Sequence, residues 1–305
     1  MSNSLLFIAG SDIDYFYEVN NFPNVGEAAE SKFIEAKVGG CVLNAASVAS
    51  MLGSDVKVLD SLNSEDEDTT LILEALKGFN VDTSHMILNK DTVNGKCIIM
   101  RKDDEKIIYV IEPKKTKIVR NKIDTLLNST SYIYSLATIL NDTFVDLSIL
   151  DYFKQNNIKL ILDASNLYTN KKDADILLKY ADGFFINKSS FTRLCNTLGY
   201  NPLKDLFNRG LLFACITDGA NGVTCYDKGN EYYQPAYKVD VVDSTGAGDS
   251  FAGCFMHFYS EGYAIEECLE FASASGAYAC TKNGGMAGAI SKDELFKFIK
   301  ENKRA

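Results

Sequence analysis

The segment VVDSTGAGDSFAGCF, residues 241–255, decides the fold that the sequence predicts. It begins with an apolar, strand-like stretch, continues into a glycine loop and ends in a helical pattern. Gly246 and Gly248 permit backbone conformations and close approaches that are denied to other residues. A helix start also presents unpaired N–H groups and a positive dipole end. This order of strand, loop and helix predicts a binding site for a phosphate group.

Asp249 stands in the first turn of the predicted helix. A lone aspartate at such a position most often only stabilises the helix start through the dipole. Beside amides that can hold a transferring phosphoryl group, its carboxylate is instead placed to accept the proton of an attacking hydroxyl. The segment has neither the G-x-x-x-x-G-K-[ST] phosphate loop nor the G-x-G-x-x-G dinucleotide motif, which argues against a Rossmann-type dehydrogenase.

Short apolar runs bounded by turn residues recur along the chain and are typical of buried strands. Segments with helical spacing of apolar residues lie between them, for example residues 42–52, 71–79 and 145–153. Because strand and helix alternate, the sequence predicts an α/β fold with a doubly wound, mostly parallel sheet flanked by helices. The predicted strands are residues 5–9, 56–59, 132–136, 159–162, 183–186, 213–217 and 223–226.

Two regions break this alternation. Residues 31–37 alternate loosely between polar and apolar side chains, and residues 96–100 and 107–111 form strand-like runs around the charged turn 101–106. Together with residues 14–19, we expect them to form a small β-sheet that covers a ligand cleft as a lid. An ordinary edge meander fits the pattern equally well.

The composition is that of an ordinary globular protein, with 46% apolar and 24% charged residues in a chain of 305. Its formal net charge of -10 disfavours nucleic acid and anionic membranes as partners, so we expect a small-molecule partner. Its 8 cysteines include no C-x-x-C pair and it has only 2 histidines, which favours reduced thiols over disulfides or a zinc site. No apolar run resembles a signal peptide or a membrane span, so we expect a cytoplasmic protein.

The string DSTGAGDSF resembles the C-terminal signature of the PfkB/ribokinase family of sugar and nucleoside kinases. Four further segments are similar to that family and extend the resemblance over essentially the whole chain. They are the opening strand in residues 9–14, Gly39 and Gly40 followed by Asn44, the segment FNVDTS in residues 79–84, and Thr217, Gly219 and Gly222 in a T-x-G-x-x-G stretch.

The resemblance implies one ribokinase-like kinase domain over residues 1–305, with lid segments near residues 14–37 and 92–112. It also implies the use of ATP with Mg²⁺, and in many members of K⁺. The implied catalytic group is Asp249 as base with Gly246, Ala247 and Gly248 as the anion hole. The remaining implied residues are Asp12, Asp14, Gly39, Gly40, Asn44 and Asp163 for substrate, Asn187, Thr217, Gly219, Gly222 and Asn283 for nucleotide, and Asp243 and Gly285 for a monovalent cation.

Some of these residues have simpler readings. Asp12 and Asp14 suit polyol hydroxyls but would also end a strand, and Asn44 would fit a helix start. Asp163 and Asn166 follow a predicted strand at the end where doubly wound sheets place their sites, yet such residues are more often turn or cap residues.

The chain also departs from the family pattern. The family often has N-x-x-E, whereas Asn187 is followed here by Lys188, Ser189 and Ser190. In the lid, Asp104 and Lys106 stand where Gly and Arg are common.

Cys41 follows Gly40 where members that act on ribose or sugar phosphates commonly have Lys, which argues against a phosphorylated sugar and more weakly against ribose. We therefore expect ATP-dependent phosphorylation of a hydroxyl, a primary alcohol, on an unphosphorylated sugar or sugar-like substrate. A nucleoside kinase of the same family is the nearest alternative, and a catalytically weak sugar- or nucleotide-binding regulator on this fold is another. Exposed lid strands could be shielded by pairing into a homodimer.

Overall fold

The computed structural model describes residues 4–8, 10–103, 105–165 and 171–302, with the side chains of 171–173, 175 and 177 left out. Ala9, Asp104 and Asn166, which the sequence analysis mentions, lie outside the described residues. The described strands are β1 (Leu5–Ile8), β2 (Asp12–Val19), β3 (Ser31–Gly39), β4 (Val56–Leu59), β5 (Ser61–Leu62), β6 (Ile87–Leu88), β7 (Gly95–Lys102), β8 (Glu105–Ile111), β9 (Tyr132–Leu136), β10 (Lys159–Asp163), β11 (Gly183–Asn187), β12 (Phe213–Thr217), β13 (Val223–Tyr226) and β14 (Glu231–Gln234).

The described helices flank these strands in sequence. They are α1 (Cys41–Met51), α2 (Glu67–Gly78), α3 (Asp124–Asn128), α4 (Leu140–Thr143), α5 (Ser148–Gln155), α6 (Lys171–Tyr180), α7 (Lys188–Leu198), α8 (Leu203–Asn208), α9 (Ala247–Ser260), α10 (Ile265–Cys280) and α11 (Lys292–Asn302). Within the described ranges, none of them combines the length and the apolar character that crossing a membrane requires.

The large sheet has the strand order β14-β13-β12-β11-β10-β9-β1-β4. Its strands from β12 to β4 run parallel, and β13 and β14 add an antiparallel edge. The seven strands predicted for the main sheet all belong to it, which confirms the doubly wound, mostly parallel fold. The sequence prediction missed β14, because Glu231–Gln234 carries polar and exposed side chains that give no apolar run.

Both faces of the large sheet are covered by helices, because alternate side chains of a strand point to opposite faces. In β1, Leu5 and Phe7 pack into the core that includes α1, α9 and α10, while Leu6 and Ile8 pack into the core that includes α5 and α7. All four side chains are at most 1% exposed. This burial on both sides explains the continuous apolar runs from which the strands were predicted.

The smaller sheet has the order β3-β2-β7-β8 and forms a lid beside the large sheet. Strand β2 pairs antiparallel with β3 and parallel with β7, and β7 pairs antiparallel with β8 across the charged turn. All seven residues of β8 are exposed. The segments that broke the strand and helix alternation therefore belong to a second sheet, as the fold prediction required.

Candidate active site

A cavity of about 610 Å³ lies between the lid and the starts of two helices, α1 and α9. Its volume is within the range of pockets that bind small molecules. Strands β2, β3, β7 and β8 contribute its lid side, and residues 283–287 also line it next to Lys37 of β3. Ten of the predicted site residues line it: Asp12, Asp14, Gly39, Gly40, Asn44, Asp243, Gly246, Asp249, Asn283 and Gly285.

The glycine loop opens α9 as the sequence predicts. Gly246 adopts a left-handed conformation with φ 78°, and no side chain caps the helix start. Helix geometry leaves the amides of Gly248 and Asp249 without carbonyl partners inside the helix. A Cβ on Gly246 would lie 2.6 Å from the Cα of Gly285, so this close packing of two loops requires glycine. The helix start therefore offers unpaired amides and a positive dipole end to an anion in the cavity.

The strand predicted directly before this loop is wrong. Val241 and Val242 are 64% and 66% exposed, and the backbone there forms no strand. The amides of Val242 and Asp243 instead donate to the carbonyl of Cys280, at 2.8 and 3.2 Å. The end of α10 therefore replaces a neighbouring strand as the partner of this segment.

Asp243 joins the glycine loop to the second glycine-rich loop. Its Oδ1 accepts the amide of Thr245 at 2.9 Å and its Oδ2 accepts the amide of Gly284 at 3.1 Å. Burial raises the pKa of Asp243, but the hydrogen bonds from Thr245 and Gly284 outweigh it and lower the pKa below its ordinary value. Asp243 is therefore ionised at neutral pH and fixes the two loops against each other.

Asp249 faces the cavity from the first turn of α9. The Nδ2 of Asn44, on α1, donates to its Oδ2 at 2.7 Å, and the thiol of Cys41 forms a second hydrogen bond with its carboxylate. The pKa of Asp249 is raised to about 7, chiefly by burial. The hydrogen bonds from Asn44 and Cys41 oppose this rise, and the charge of Asp163 adds to it. A carboxylate with a pKa near the working pH is suited to accept a proton from a hydroxyl.

Asp163 lies behind this base and does not line the cavity among the described residues. Its Oδ1 accepts the amide of Ser165 at 2.8 Å, and the hydroxyl of the fully buried Tyr134 lies 3.5 Å from its Oδ2. Burial raises the pKa of Asp163, against the hydrogen bonds from Ser165 and Tyr134. Asp163 thus acts on Asp249 through its charge in this structure, whereas the sequence analysis expected it among the substrate-binding residues.

Asp12 and Asp14 point from β2 into the same cavity. Burial, together with the charges of Asp14, Asp60 and Asp249, raises the pKa of Asp12 to about 7, and the charge of Lys115 opposes this rise. Burial also raises the pKa of Asp14, which hydrogen bonding and nearby cations oppose. In the described part of the chain, the buried Oδ1 of Asp12 has no hydrogen-bond partner. The two carboxylates therefore present acceptor atoms to a ligand.

The lid also supplies cationic side chains that the sequence analysis did not assign to the site. Lys37 lies opposite Asp14 in the pairing of β2 with β3, and its Nζ lies 3.4 Å from the Oδ1 of Asn283. The guanidinium of Arg101 lies 4.2 Å from the ring centroid of Phe16. Both cations line the cavity with Lys106. The pairing of Lys37 with Asp14 across β2 and β3 is what places Lys37 in the cavity. The register of two paired strands cannot be predicted from one sequence, so the sequence analysis could not identify it.

Four of the five predicted nucleotide residues lie at or just after the carboxyl ends of β11 and β12, outside this cavity, whereas the fifth, Asn283, lines it. Asn187 and Thr217 are direct neighbours in the parallel pairing of these strands. Gly219 begins a short 3-10 turn, and Gly222 ends it so close to β14 that a Cβ would lie 2.3 Å from the carbonyl oxygen of Gln234. The structure thus places Asn187, Thr217, Gly219 and Gly222 at one end of the sheet. Close packing against Gln234 also explains why position 222 is a glycine.

Ser190 occupies the position where the family often has glutamate. Its amide donates to the Oδ1 of Asn187 at 2.8 Å, which caps α7, and its hydroxyl donates to the carbonyl of Ser165 at 2.6 Å. Ser190 is 1% exposed. Among the described residues, no group of three or more His, Cys, Asp or Glu side chains is close enough to hold a metal ion.

Comparison with known proteins matches this geometry to one family. The family model for "pfkB family carbohydrate kinase" matches residues 4–292. The ribokinase of Dictyostelium discoideum is 27% identical over 323 residues, which cover 97% of this chain and 100% of that protein. The structure of Arabidopsis thaliana ribokinase complexed with ribose and ATP has a TM-score of 0.85 at 21% identity and covers 98% of this chain and 99% of that one. Methanocaldococcus jannaschii nucleoside kinase has a TM-score of 0.81 at 20% identity and covers 98% of both chains.

Proposed function

This chain belongs to the pfkB family of carbohydrate kinases, and on that basis we propose that it transfers the γ-phosphoryl group of ATP to a hydroxyl of an unphosphorylated sugar or sugar-like molecule. The acceptor hydroxyl is expected to be a primary alcohol. The observation that carries the proposal is the placement of Asp249 beside the unpaired amides of α9, facing the carboxylates of Asp12 and Asp14 across one cavity.

In this proposal the acceptor sugar binds on the lid side of the cavity. Its hydroxyls donate to the carboxylates of Asp12 and Asp14 and to the Oδ1 of Asn44, a buried atom that has no partner in the described part of the chain. The backbone at Gly39 and Gly40 shapes the same wall. Buried acceptor atoms that lack partners are costly unless a ligand satisfies them, so a polyol fits this wall.

Asp249 then acts as the base. Its carboxylate orients the attacking hydroxyl and accepts the proton as the hydroxyl oxygen bonds to the γ-phosphorus and the bond from that phosphorus to the leaving ADP oxygen breaks. Asn44 holds the carboxylate in place at 2.7 Å. The amide of Gly248, with the freedom of Gly246, would stabilise the negative charge on the transferred group. The amide of Ala247 donates to the carbonyl of Ser244 at 3.3 Å and would have to leave that bond to join it. Most of the catalysis expected here is positioning and charge stabilisation.

The nucleotide is assigned to the neighbouring strand ends. Asn187, Thr217, Gly219 and Gly222 would hold ATP, with Asn283 at the junction with the cavity. Unpaired helix amides suit its phosphates. Mg²⁺, which neutralises charge on the transferring phosphates, is bound in many such sites by one or two protein groups and by the phosphates themselves. Asn187 is the side chain we assign to it, through the lone pair that its Oδ1 keeps after accepting the amide of Ser190, whereas the hydroxyl of Ser190 is committed to the carbonyl of Ser165.

A monovalent cation, proposed to be K⁺, fits beside the anion hole. Asp243 remains ionised there because its pKa is lowered, and it connects the loop of Gly246 with that of Gly285. A cation held by Asp243 and by backbone oxygen at Gly285 would add positive charge next to the phosphoryl-binding amides. Activity that is equal in Na⁺, K⁺ and choline buffers would remove this assignment.

A nucleoside is the second candidate acceptor, and the apolar lid wall favours it. Phe16, Ile99 and Ile108 of the lid, with Phe79 after α2, also line the cavity, and such an apolar surface suits a nucleobase. The test is ATP consumption with Mg²⁺ and K⁺ against free sugars, sugar acids and nucleosides. Turnover with sugars only, or nucleosides only, identifies the acceptor class. Binding without turnover on the whole panel would instead support the regulatory alternative.

We further propose that residues 1–305 form one domain with lid segments near 14–37 and 92–112. Two copies of the chain are proposed to associate through this lid. Strand β8 is an edge of the small sheet and exposes Tyr109, Val110 and Ile111 by 57%, 68% and 41%. An apolar edge strand of this kind is a template for pairing with another copy. Light scattering that gives a monomer at assay concentrations would refute this.

Reduced thiols and small-molecule partners accord with a cytoplasmic setting.

A further inference from the structure

A buried ion pair connects two passages of the chain between the large sheet and the lid. Ser11 directly precedes β2, where the chain enters the lid, and residues 112–117 follow β8, where the chain returns. Asp60, at the end of β4, lies between these passages. Lys115, on the returning segment, completes the pair.

Both carboxylate oxygens of Asp60 and the ammonium group of Lys115 are hydrogen-bonded. The Nζ of Lys115 lies 2.9 Å from Oδ1 and 3.0 Å from Oδ2 of Asp60, and it donates to the carbonyl of Ser61 at 3.2 Å. The Oδ2 of Asp60 also accepts the amide of Ser11 at 2.7 Å and its hydroxyl at 2.6 Å. Its Oδ1 accepts the amide of Ser61 at 2.7 Å. The side chains of Lys115 and Asp60 are 7% and 3% exposed.

Neighbouring hydrogen bonds fix the returning segment in the same place. The amide of Thr116 donates to the hydroxyl of Ser61 at 3.0 Å, and the Thr116 hydroxyl contacts the hydroxyl of Thr92 at 2.8 Å and accepts from Asn89 at 3.0 Å. A buried network that is satisfied throughout holds its members in one arrangement. Residues that enter and leave the lid are therefore held to one point on the large sheet.

That point borders the acceptor wall of the cavity. Asp12 is bonded in sequence to Ser11, and its Oδ1 is the buried acceptor that has no partner in the described part of the chain. The position of Ser11 therefore fixes the backbone from which the Asp12 side chain extends. The charge of Lys115 also faces Asp12 and opposes the combined effects of burial and of the charges of Asp14, Asp60 and Asp249.

We propose that Lys115 and Asp60 are positioning residues for the acceptor substrate: through Ser11 they hold the carboxylate of Asp12 in place opposite Asp249. The role given to Asp12 rests on the proposed function. Neither Lys115 nor Asp60 lines the cavity among the described residues, so neither contacts substrate directly. Loss of the pair should weaken acceptor binding and leave ATP binding intact, because the pair is bonded to Ser11 and Ser61 and, within the ranges that the structure describes, to none of the predicted nucleotide residues.

The test is the double variant Asp60→Ser/Lys115→Met, which removes both charges and so leaves no unpaired buried ion. With the best acceptor of the panel, its acceptor KM is expected to rise at least ~10-fold while the ATP KM stays within about 2-fold. The matched control is Lys57→Met on β4, whose Nζ donates to the hydroxyl of Ser129 at 3.1 Å, away from the cavity. Both its KM values should stay near those of the wild type.

A second variant keeps the proposal testable if the double variant does not fold. Ser11→Ala removes only the hydroxyl bond to Asp60 and keeps the ion pair, and it should raise the acceptor KM at least ~3-fold with an unchanged ATP KM. An acceptor KM within about 2-fold of the wild type in a folded variant, or equal rises in both KM values, overturns the proposal. A wild type that turns over no acceptor on the panel refutes the proposed function instead, so the two failures are distinct.

Discussion

Replacing Asn44 by alanine should move the pH dependence of the reaction toward higher pH. The Nδ2 of Asn44 donates to the carboxylate of Asp249 at 2.7 Å, and this bond favours the charged form of the base. Without it, burial and the Asp163 charge act against fewer opposing bonds, so the pKa of Asp249 rises above about 7. A base with a raised pKa is protonated over a wider acidic range, and the acid limb of the rate profile shifts upward.

The size of this shift follows from the strength of the bond. A hydrogen bond to a charged group contributes about 1.5–3 kcal/mol, and one pKa unit corresponds to about 1.36 kcal/mol, so the limb should move by about one to two pH units. At pH 7 the wild-type base is roughly half ionised, whereas a pKa of about 8 to 9 leaves roughly 9% to 1% ionised. Asn44→Ala should therefore lose roughly 5- to 50-fold of kcat at pH 7 and regain that loss near pH 9 to 10.

The assay is kcat against pH, at saturating ATP and acceptor, for the wild type and three variants. Asn283→Ala is the matched control, because Asn283 lines the cavity but bonds Lys37 and not Asp249. Asp163→Asn should move the limb in the opposite direction, toward lower pH, because it removes a like charge near the base. A loss of kcat in Asn44→Ala that is the same at every pH would refute the coupling of these residues to Asp249. So would an acid limb of the kcat profile that neither Asn44→Ala nor Asp163→Asn shifts.

Three further outcomes follow from the structure. Gly285→Ala should lower kcat at least ~10-fold, because a Cβ there would lie 2.4 Å from the Nδ2 of Asn44 and displace it from the base; unchanged steady-state turnover contradicts this. Burial, with the charge of Lys292, lowers the pKa of His257 to about 4, so the unfolded chain binds an extra proton between about pH 6.5 and pH 4 and stability falls as pH falls through that window. Urea unfolding should show about 2 kcal/mol less stability at pH 5 than at pH 7.5 from this residue, and His257→Gln should lack that part of the loss. Lys96→Met should destabilise the fold by about 3 kcal/mol in the same assay, since it leaves Asp68, 3% exposed, without its ion partner; an effect below about 1 kcal/mol would contradict this.

The elements that the sequence predicted well are those with strong local patterns. The strands of the large sheet are buried on both faces, so each is an uninterrupted apolar run that ends at turn residues. The lid segments could be recognised because they lack such uninterrupted apolar runs. One side of the lid sheet is exposed, so polar and apolar residues are mixed along its strands. The strand expected at Val241 and Val242 failed since two valines favour a strand in isolation, whereas here the backbone pairs with Cys280 at the end of α10.

The site shows the same division. The glycine loop and Asp249 could be found from one short segment, because the helix start that holds them is a local structure. The bond from Asn44 to Asp249 joins positions 205 residues apart, and the pair of Lys115 with Asp60 joins positions 55 apart. Such contacts depend on how helices and sheets pack, and no local spacing encodes them. The same is true of Lys37, whose place in the cavity depends on its pairing with Asp14.

The measurement that tests the central claim most directly is acceptor-dependent ATP consumption by Asp249→Asn beside the wild type, with Mg²⁺ and K⁺ present. An asparagine at this position keeps the size of the side chain but cannot accept the proton. If Asp249 is the base at the phosphoryl site, kcat falls at least ~10²-fold while both proteins bind ATP equally and melt at similar temperatures. Turnover by Asp249→Asn within about 3-fold of an active wild type would contradict the account, because the carboxylate at the start of α9 would then not be the group that takes the proton.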